Sequence, residues 1–381
     1  MEHIRLTPKG VTLWLAVEAG FMNRPPTEEQ MERFHRFWDG IERQVIPMVM
    51  ARMKGCTTCL DFQKTFCYTF LKRLMAEAST GLTMDAEAID MREGRYTFVS
   101  NHRDIVLDSA LLCVLLLDAG AGTTTEIAIG DNLLAAPWIR DVVRINKSFI
   151  VQRQLPPREL LAASKHMSEY MHFVISQKHD NVWIAQREGR AKDGNDRTQP
   201  AILKMMAMGG EGSARERLKA LHIVPLSISY EYYPCDFLKA REMQLRRDDP
   251  TWRKTAQDDV ESMRTGIMGY KGAVHYHCAP CIDDWIDQLP EDIGRAELFD
   301  AVAQHIDEEI HRHYRLYASN RVAAGEECTE EERRSFEEYV ERQLGKIRME
   351  HPDWAFLRDR IKEMYAWPLK NKRLSSLSHC K

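Results

Sequence analysis

A histidine and two aspartates follow a short apolar stretch near residue 100. Tyr96 to Val99 is aromatic and β-branched, a composition typical of a buried strand. His102, Asp104 and Asp108 come next, before the apolar run from Ser109 to Leu117, which predicts a buried helix. Ionisable groups between two buried elements are costly to desolvate unless they are paired or used in chemistry. The spacing therefore predicts a histidine that acts as general base on a hydroxyl, with an aspartate holding the imidazole tautomer. A histidine that caps the helix, with solvated aspartates, is the alternative.

The elements that position these groups alternate between strand and helix from residue 95 to about residue 235. This alternation predicts an α/β fold, with a central, mainly parallel or mixed sheet flanked by helices. The expected strands are 96–99, 126–129, 149–151, 181–185 and 222–231, and the expected helices are 109–117, 137–143, 158–176 and 202–208.

Polar side chains follow the carboxyl ends of these strands, where open sheets of this type bind ligands. The first strand is followed by His102 and Asp108, and later strands by the cations Arg153, Arg190 and Lys192. Asp131, Asn132 and Glu188 occupy the same rim. Cations near a general base indicate an anionic substrate whose hydroxyl is deprotonated. A cluster of salt-bridged loops is the structural alternative.

The rest of the chain is predicted to be helical. We expect an N-terminal helical region over 1–90, an α/β domain over 91–290 and a C-terminal helical extension over 291–381. A capping-box spacing at Thr27 and Gln30 opens one N-terminal helix, and a second is expected from about Leu60 to Ala78. His305, Glu309 and His313 share a helix face that we interpret as exposed and polar. The basic tail from Leu369 is expected to be disordered or to touch anionic lipid.

Composition excludes several classes of protein. The 381 residues carry a formal net charge of -4, whereas nucleic-acid-binding domains usually have a strong positive excess. The sequence contains no run of 18 apolar residues, so no membrane-spanning helix is predicted. The first residues lack the pattern of a secretory signal, so a cytoplasmic protein is expected.

The nine cysteines are scattered and are expected to be thiols. Zinc binding by Cys56, Cys59, Cys278 and Cys281, with His275 and His277 beside the second pair, is the disfavoured alternative.

Four blocks of sequence, taken in order, resemble the glycerolipid acyltransferase superfamily, which includes glycerol-3-phosphate and 1-acylglycerol-3-phosphate acyltransferases. The resemblance covers roughly residues 90 to 235. The blocks are Asn101–Leu112, Phe149–Arg153, Arg187–Gly194 and Ile223–Glu231, and the turn Gly130–Asn132 is similar to one in the glycerol-3-phosphate branch.

The resemblance implies an O-acyltransferase of phospholipid biosynthesis. His102 and Asp108 would be the catalytic pair, and the substrate would be bound by Arg153, Glu188, Gly189, Arg190 and Lys192. The acyl donor would be a thioester of CoA or of an acyl carrier protein, and the acceptor glycerol 3-phosphate or its 1-acyl product. The chemistry requires no metal and no further cofactor. The enzyme is expected to associate peripherally with the inner face of the membrane through the apolar surface of its N-terminal helices.

Two departures from the family pattern leave alternatives open. Five residues separate His102 from Asp108, where the family has four, so Asp104 is the other candidate partner. The third block is one residue short between Glu188 and Arg190, so Arg187, Arg190 and Lys192 all remain candidates for the phosphate.

Two other functions fit the residues less well. One is an acyl-thioester hydrolase that uses Cys113, and the other is an acyltransferase-like lipid-binding protein without activity.

Overall fold

The computed structural model describes residues 55–134, 143–152 and 155–378. The helices predicted before residue 55, most of the helix predicted over 137–143, and Arg153 lie outside these ranges.

Seven strands form one sheet in the order β1-β7-β6-β2-β5-β3-β4. The strands are β1 (Gly81–Asp85), β2 (Thr97–Ser100), β3 (Thr125–Gly130), β4 (Ser148–Val151), β5 (Asn181–Ala185), β6 (Ile223–Tyr230) and β7 (Ala273–Cys278). Neighbouring strands are parallel except β6 and β7. All residues of β2 and β6 are buried, as expected of central strands covered on both faces. The predicted α/β fold is confirmed.

Two of the strands have no counterpart in the sequence analysis. β1 lies within the stretch predicted to be helical, and β7 lies in a stretch of mixed composition. Both belong to the edge of the sheet, where β1 pairs in parallel with β7, from Gly81 beside Ala273 to Asp85 beside His277. Because β7 runs antiparallel to β6, the first residues of β7 lie at the end of the sheet where β2 and β6 end.

Helices cover both faces of the sheet. They are α1 (Cys59–Phe62), α2 (Tyr68–Ala78), α3 (Leu107–Asp118), α4 (Pro157–Phe173), α5 (Pro200–Met206), α6 (Ala214–Lys219), α7 (Asp236–Asp248), α8 (Ala256–Met268), α9 (Asp283–Asp287), α10 (Arg295–Arg312), α11 (Ala318–Ala323), α12 (Glu330–Leu344) and α13 (Trp354–Ser378). The face with α2 and α3 also carries α7, α12 and α13 in its core. The opposite face packs against α4, α5 and α10.

Two expectations about the C-terminal third are wrong. Residues 369–378, for which disorder was one of two alternatives, form the last turns of α13, where Leu369 is buried; contact of this tail with anionic lipid stays a prediction. The face of α10 that carries His305 and Glu309 is not an exposed polar face. Glu309 is buried, and the ring of His305 stacks on Trp285 with centroids 3.9 Å apart. Among the helices described here, none is long and apolar enough to cross a membrane.

Candidate active site

His102 lies in the loop that joins β2 to α3, at the carboxyl end of the sheet. Its Nδ1 is 2.9 Å from Asp108 Oδ2, and the Asp108 side chain is completely buried. Because Asp108 Oδ2 accepts from Nδ1–H, the lone pair at Nε2 is free to take a proton. The imidazole is 12% exposed, so it is shielded on most sides but reachable.

The two candidate aspartates have different roles in this loop. Asp108 Oδ2 also accepts the backbone N–H groups of Arg103 and Asp104, at 2.6 and 3.0 Å. Asp104 Oδ1 accepts from the backbone N–H groups of Val106 and Leu107, so Asp104 holds the turn that leads into α3. Burial, reinforced by the neighbouring Asp108, raises the pKa of the Asp104 carboxyl. The hydrogen bond to His102 therefore belongs to Asp108 and not to Asp104.

Neighbouring strands fix the position of the His102 loop. The Asn101 side chain donates to the carbonyl of Ile228 and accepts its N–H, at 2.9 and 2.8 Å, so it extends the pairing of β2 with β6. Trp183 on β5 donates from Nε1 to Ser100 Oγ and meets the His102 ring edge-on, with centroids 5.5 Å apart. These contacts restrict the imidazole to one orientation.

Arg103 anchors the same loop to the C-terminal part of the chain. Its guanidinium is 2.6 Å from Asp196 and lies over the rings of Tyr233 and Tyr314. The Tyr314 hydroxyl also donates to Asp196, at 2.6 Å. Arg103 and Asp196 are both buried, so this pair is structural.

A cavity of about 1060 Å³ opens beside His102. The predicted residues Glu188, Gly189, Arg190 and Lys192 all line it, together with Arg187. Arg187 Nε and one terminal nitrogen of Arg190 are buried without a hydrogen-bond partner among the described residues. Buried guanidinium nitrogens normally have acceptors, so these donors indicate an anion as ligand.

The other predicted binding residues differ in what surrounds them. Lys192 forms an ion pair with Glu242, so part of its charge is already neutralised. Glu188 is exposed at the rim. Gly189 has φ +68°, a backbone conformation that side chains disfavour, and it allows the chain to turn between Glu188 and Arg190. Arg153 lies outside the described residues, so its place in the site stays a prediction.

The cavity contains a cation that the sequence analysis missed. Lys239 on α7 lines the cavity, is 5% exposed, and has no hydrogen bond or ion pair with any described residue. Burial, together with the nearby Arg190 and Arg103, lowers the pKa of Lys239 to about 8. Its sequence surroundings alternate acids and bases, a pattern typical of a solvated face. Only its position after β6, at the carboxyl end of the sheet, was a signal.

Apolar side chains line much of the remaining cavity wall, among them Phe70, Ile127, Leu133, Met205, Leu238 and Met243. Such a wall accommodates a hydrocarbon chain.

Cys113 has no part in the cavity. It is buried on α3 against Thr125 Oγ1, at 3.3 Å, and burial raises its thiol pKa, so the environment does not favour a nucleophilic thiolate. The eight cysteines that the structure describes form no disulfide with one another.

Comparison with known proteins gives distant structural similarity and no similarity in sequence. No protein-family profile and no curated protein sequence matches the chain. A crystal structure of the 1-acyl-sn-glycerophosphate (LPA) acyltransferase PlsC from Thermotoga maritima is similar in structure, with a TM-score of 0.40 and 13% sequence identity. The similarity covers 78% of this chain and 94% of that protein.

Proposed function

We propose that this protein is an O-acyltransferase that moves a fatty acyl group from a thioester to a hydroxyl of a phosphorylated glycerol. One observation carries the proposal. An imidazole held by a buried carboxylate faces the same cavity as the unpartnered nitrogens of Arg187 and Arg190. A general base beside an anion site suits a substrate that has both a hydroxyl and a phosphate.

The reaction needs no covalent intermediate on the protein. His102 Nε2 removes the proton of the acceptor hydroxyl as its oxygen attacks the thioester carbonyl carbon. The new C–O bond forms, the C–S bond breaks, and the imidazolium returns its proton to the leaving thiolate. Asp108 stabilises the imidazolium, and general-base catalysis of this kind contributes about 10²–10⁴-fold to the rate.

The cavity has a cationic part for the phosphate of the acceptor and an apolar part for the acyl chain of the donor. Arg187, Arg190 and Lys239 would bind the phosphate of glycerol 3-phosphate or 1-acylglycerol 3-phosphate. The apolar wall would hold the acyl chain of an acyl-CoA or acyl carrier protein thioester. The order of the four sequence blocks supports the same assignment. Because the product of this transfer belongs to a lipid bilayer, we expect the enzyme to work at the inner face of the membrane, bound peripherally.

The proposal is tested with purified protein, a labelled acyl-CoA and a panel of acceptors that includes glycerol 3-phosphate, 1-acylglycerol 3-phosphate and glycerol. We expect acyl transfer to a phosphorylated acceptor only. His102→Ala should lower transfer by about 10²–10⁴-fold and keep the circular dichroism spectrum. His166→Ala, which removes an exposed histidine of α4, is the matched control and should keep full activity.

Two results would contradict the proposal. Release of free fatty acid at the same rate without any acceptor would identify a hydrolase. Absence of acyl transfer with every acceptor and with both donor types, while lipid still binds, would identify a lipid-binding protein.

A further inference from the structure

A second group of polar side chains lies on the other face of the sheet from α3. Side chains alternate along β7, so Tyr276 points toward α3 and donates to the backbone carbonyl of Asp108, at 2.9 Å. His275 and His277 therefore point to the opposite face, where Asp85 of β1 stands directly beside His277. The group is two to three strands from β2, about 10–14 Å across the sheet, and has no part in the proposed reaction.

We propose that Asp85, His275 and His277 form a binding site for a divalent transition metal of the zinc type. One donor atom from each residue lies within 4.8 Å of the other two. Asp85 Oδ2 is 3.5 Å from His275 Nε2 and 3.8 Å from His277 Nδ1. A metal about 2.0–2.2 Å from each donor brings the donors to roughly this spacing. Two imidazoles and one carboxylate, with a coordination position left for water, are a known ligand set for zinc and for ferrous iron.

The surroundings hold both imidazoles in place. His275 Nδ1 is hydrogen-bonded to Thr83 Oγ1, at 2.8 Å, and donation by Nδ1–H leaves the lone pair of Nε2 directed toward Asp85. A hydrogen bond on the second ring nitrogen is the usual support of a metal-binding histidine. The His277 ring stacks on His313, with centroids 3.9 Å apart and planes within 8°. His313 Nδ1 is fixed in turn by the carbonyl of Glu309, at 2.8 Å.

An unsatisfied hydroxyl lies beside His277, one of the three donors. Ser227 of β6 pairs with His277 across the sheet, so the two side chains share a face. Ser227 is 1% exposed, and its Oγ has no hydrogen-bond partner among the described residues. A water molecule on the metal would give this hydroxyl a partner. Arg315 is the cation near His275, and of the two nearby carboxylates, Asp85 and Glu309, the second already forms an ion pair with Arg312, at 3.1 Å.

The test is a titration of the purified, chelator-treated full chain with Zn²⁺ against a chromophoric competitor. We expect one Zn²⁺ per chain and a rise in Tm, since a ligand bound only by the folded state stabilises it. Asp85→Asn and His277→Ala should each weaken binding by about tenfold or more, while His166→Ala should not. Asp85 is exposed at the edge of the sheet, so Asp85→Asn keeps the test valid if His277→Ala does not fold.

Co²⁺ identifies the ligands independently of activity. Two groups of candidate donors occur among the described residues, and the other one, His222, Cys281 and Asp283, contains a thiol. Cobalt bound at Asp85, His275 and His277 should give a visible spectrum without thiolate-to-cobalt charge transfer. A thiolate band, no saturable binding, or equal affinity of Asp85→Asn and the unaltered chain would overturn the proposal. None of these results bears on acyl transfer.

Discussion

The carboxylate that holds His102 makes the sharpest prediction at the scale of single residues. Asp108→Asn removes the negative charge beside the imidazole but keeps an oxygen for the backbone donors of Arg103 and Asp104. We expect kcat for acyl transfer to fall by about 10²–10⁴-fold, because the imidazolium loses its stabilising partner and the tautomer is no longer enforced. Steady-state kinetics on the folded variant measures the change.

Asp104→Asn is the matched control for this substitution. Asparagine keeps an oxygen for the backbone N–H groups of Val106 and Leu107, so kcat should stay within roughly threefold of the unaltered enzyme. A large decrease of kcat in Asp104→Asn, with a small decrease in Asp108→Asn, would show that Asp104 and not Asp108 supports His102.

Lys239 connects stability with substrate binding. Its pKa is lowered from 10.5 to about 8, so the folded state bears the full cost of the buried charge below pH 8. That cost is at most about 3 kcal/mol. Between about pH 8 and 10.5 the unfolded state binds more protons, so stability rises with pH and the cost disappears. Lys239→Met should therefore raise the free energy of unfolding near pH 7, with little gain near pH 10, and should raise the acceptor KM about tenfold or more. Urea unfolding at both pH values and steady-state kinetics measure the two effects.

Lys271 provides the control for the stability effect. Burial also lowers its pKa to about 8, but its Nζ donates to the backbone carbonyls of Ile267 and Gly269. Lys271→Met would leave two carbonyls without a donor, at about 1–3 kcal/mol each, so no gain in stability is expected. If Lys239→Met also gave no gain in stability near pH 7, Lys239 would have a partner in the folded protein.

At the scale of elements, the buried pair Arg103–Asp196 joins the loop after β2 to the loop after β5. Asp196→Ala leaves the Arg103 guanidinium and the Tyr314 hydroxyl without their shared acceptor. Breaking a buried ion pair from one side costs about 3–5 kcal/mol, and urea unfolding should show a loss of this size. Asp193→Ala in the same loop removes one hydrogen bond to the Asn195 backbone and should cost about 1 kcal/mol. Similar losses for the two variants would contradict a structural role of the ion pair.

The strands that were predicted from the sequence have a local apolar pattern, whereas the two that were missed depend on pairing between distant parts of the chain. The five predicted strands have short apolar stretches, and the central ones among them are covered by helices on both faces. The strands β1, at one edge, and β7, its neighbour, pair across about 190 residues, from Gly81 beside Ala273, and such a contact leaves no local pattern. His102 was predicted because it lies in the turn between a strand and a helix, whereas the choice of Asp108 over Asp104 came from the resemblance. Lys239 was missed because one lysine in a charged helix has the same local pattern whether it is exposed or buried.

At the scale of the whole molecule, the C-terminal helices share a core with the α/β sheet. The sequence analysis placed a boundary at residue 290, between the α/β domain and the C-terminal helical extension. In the structure, however, Leu357, Ile361 and Tyr365 of α13 belong to the same buried cluster as α3 and β6. The Tyr365 hydroxyl donates to Asp236 of α7 at 2.8 Å, and the Tyr339 hydroxyl of α12 donates to the same carboxylate at 2.7 Å. We therefore expect residues 291–381 to fold only together with the sheet.

Removal of α13 tests this expectation. A chain that ends at residue 352 loses the buried side chains Leu357, Ile361, Met364 and Tyr365. Each contributes about 1.5–3 kcal/mol, and the sum is comparable with the whole stability of a typical domain, about 5–15 kcal/mol. Circular dichroism and size-exclusion chromatography should show an unfolded or aggregated protein. Ile361→Ala should fold with a free energy of unfolding about 2–5 kcal/mol lower. A shortened chain that melts cooperatively near the Tm of the full protein would instead make α13 an appendage.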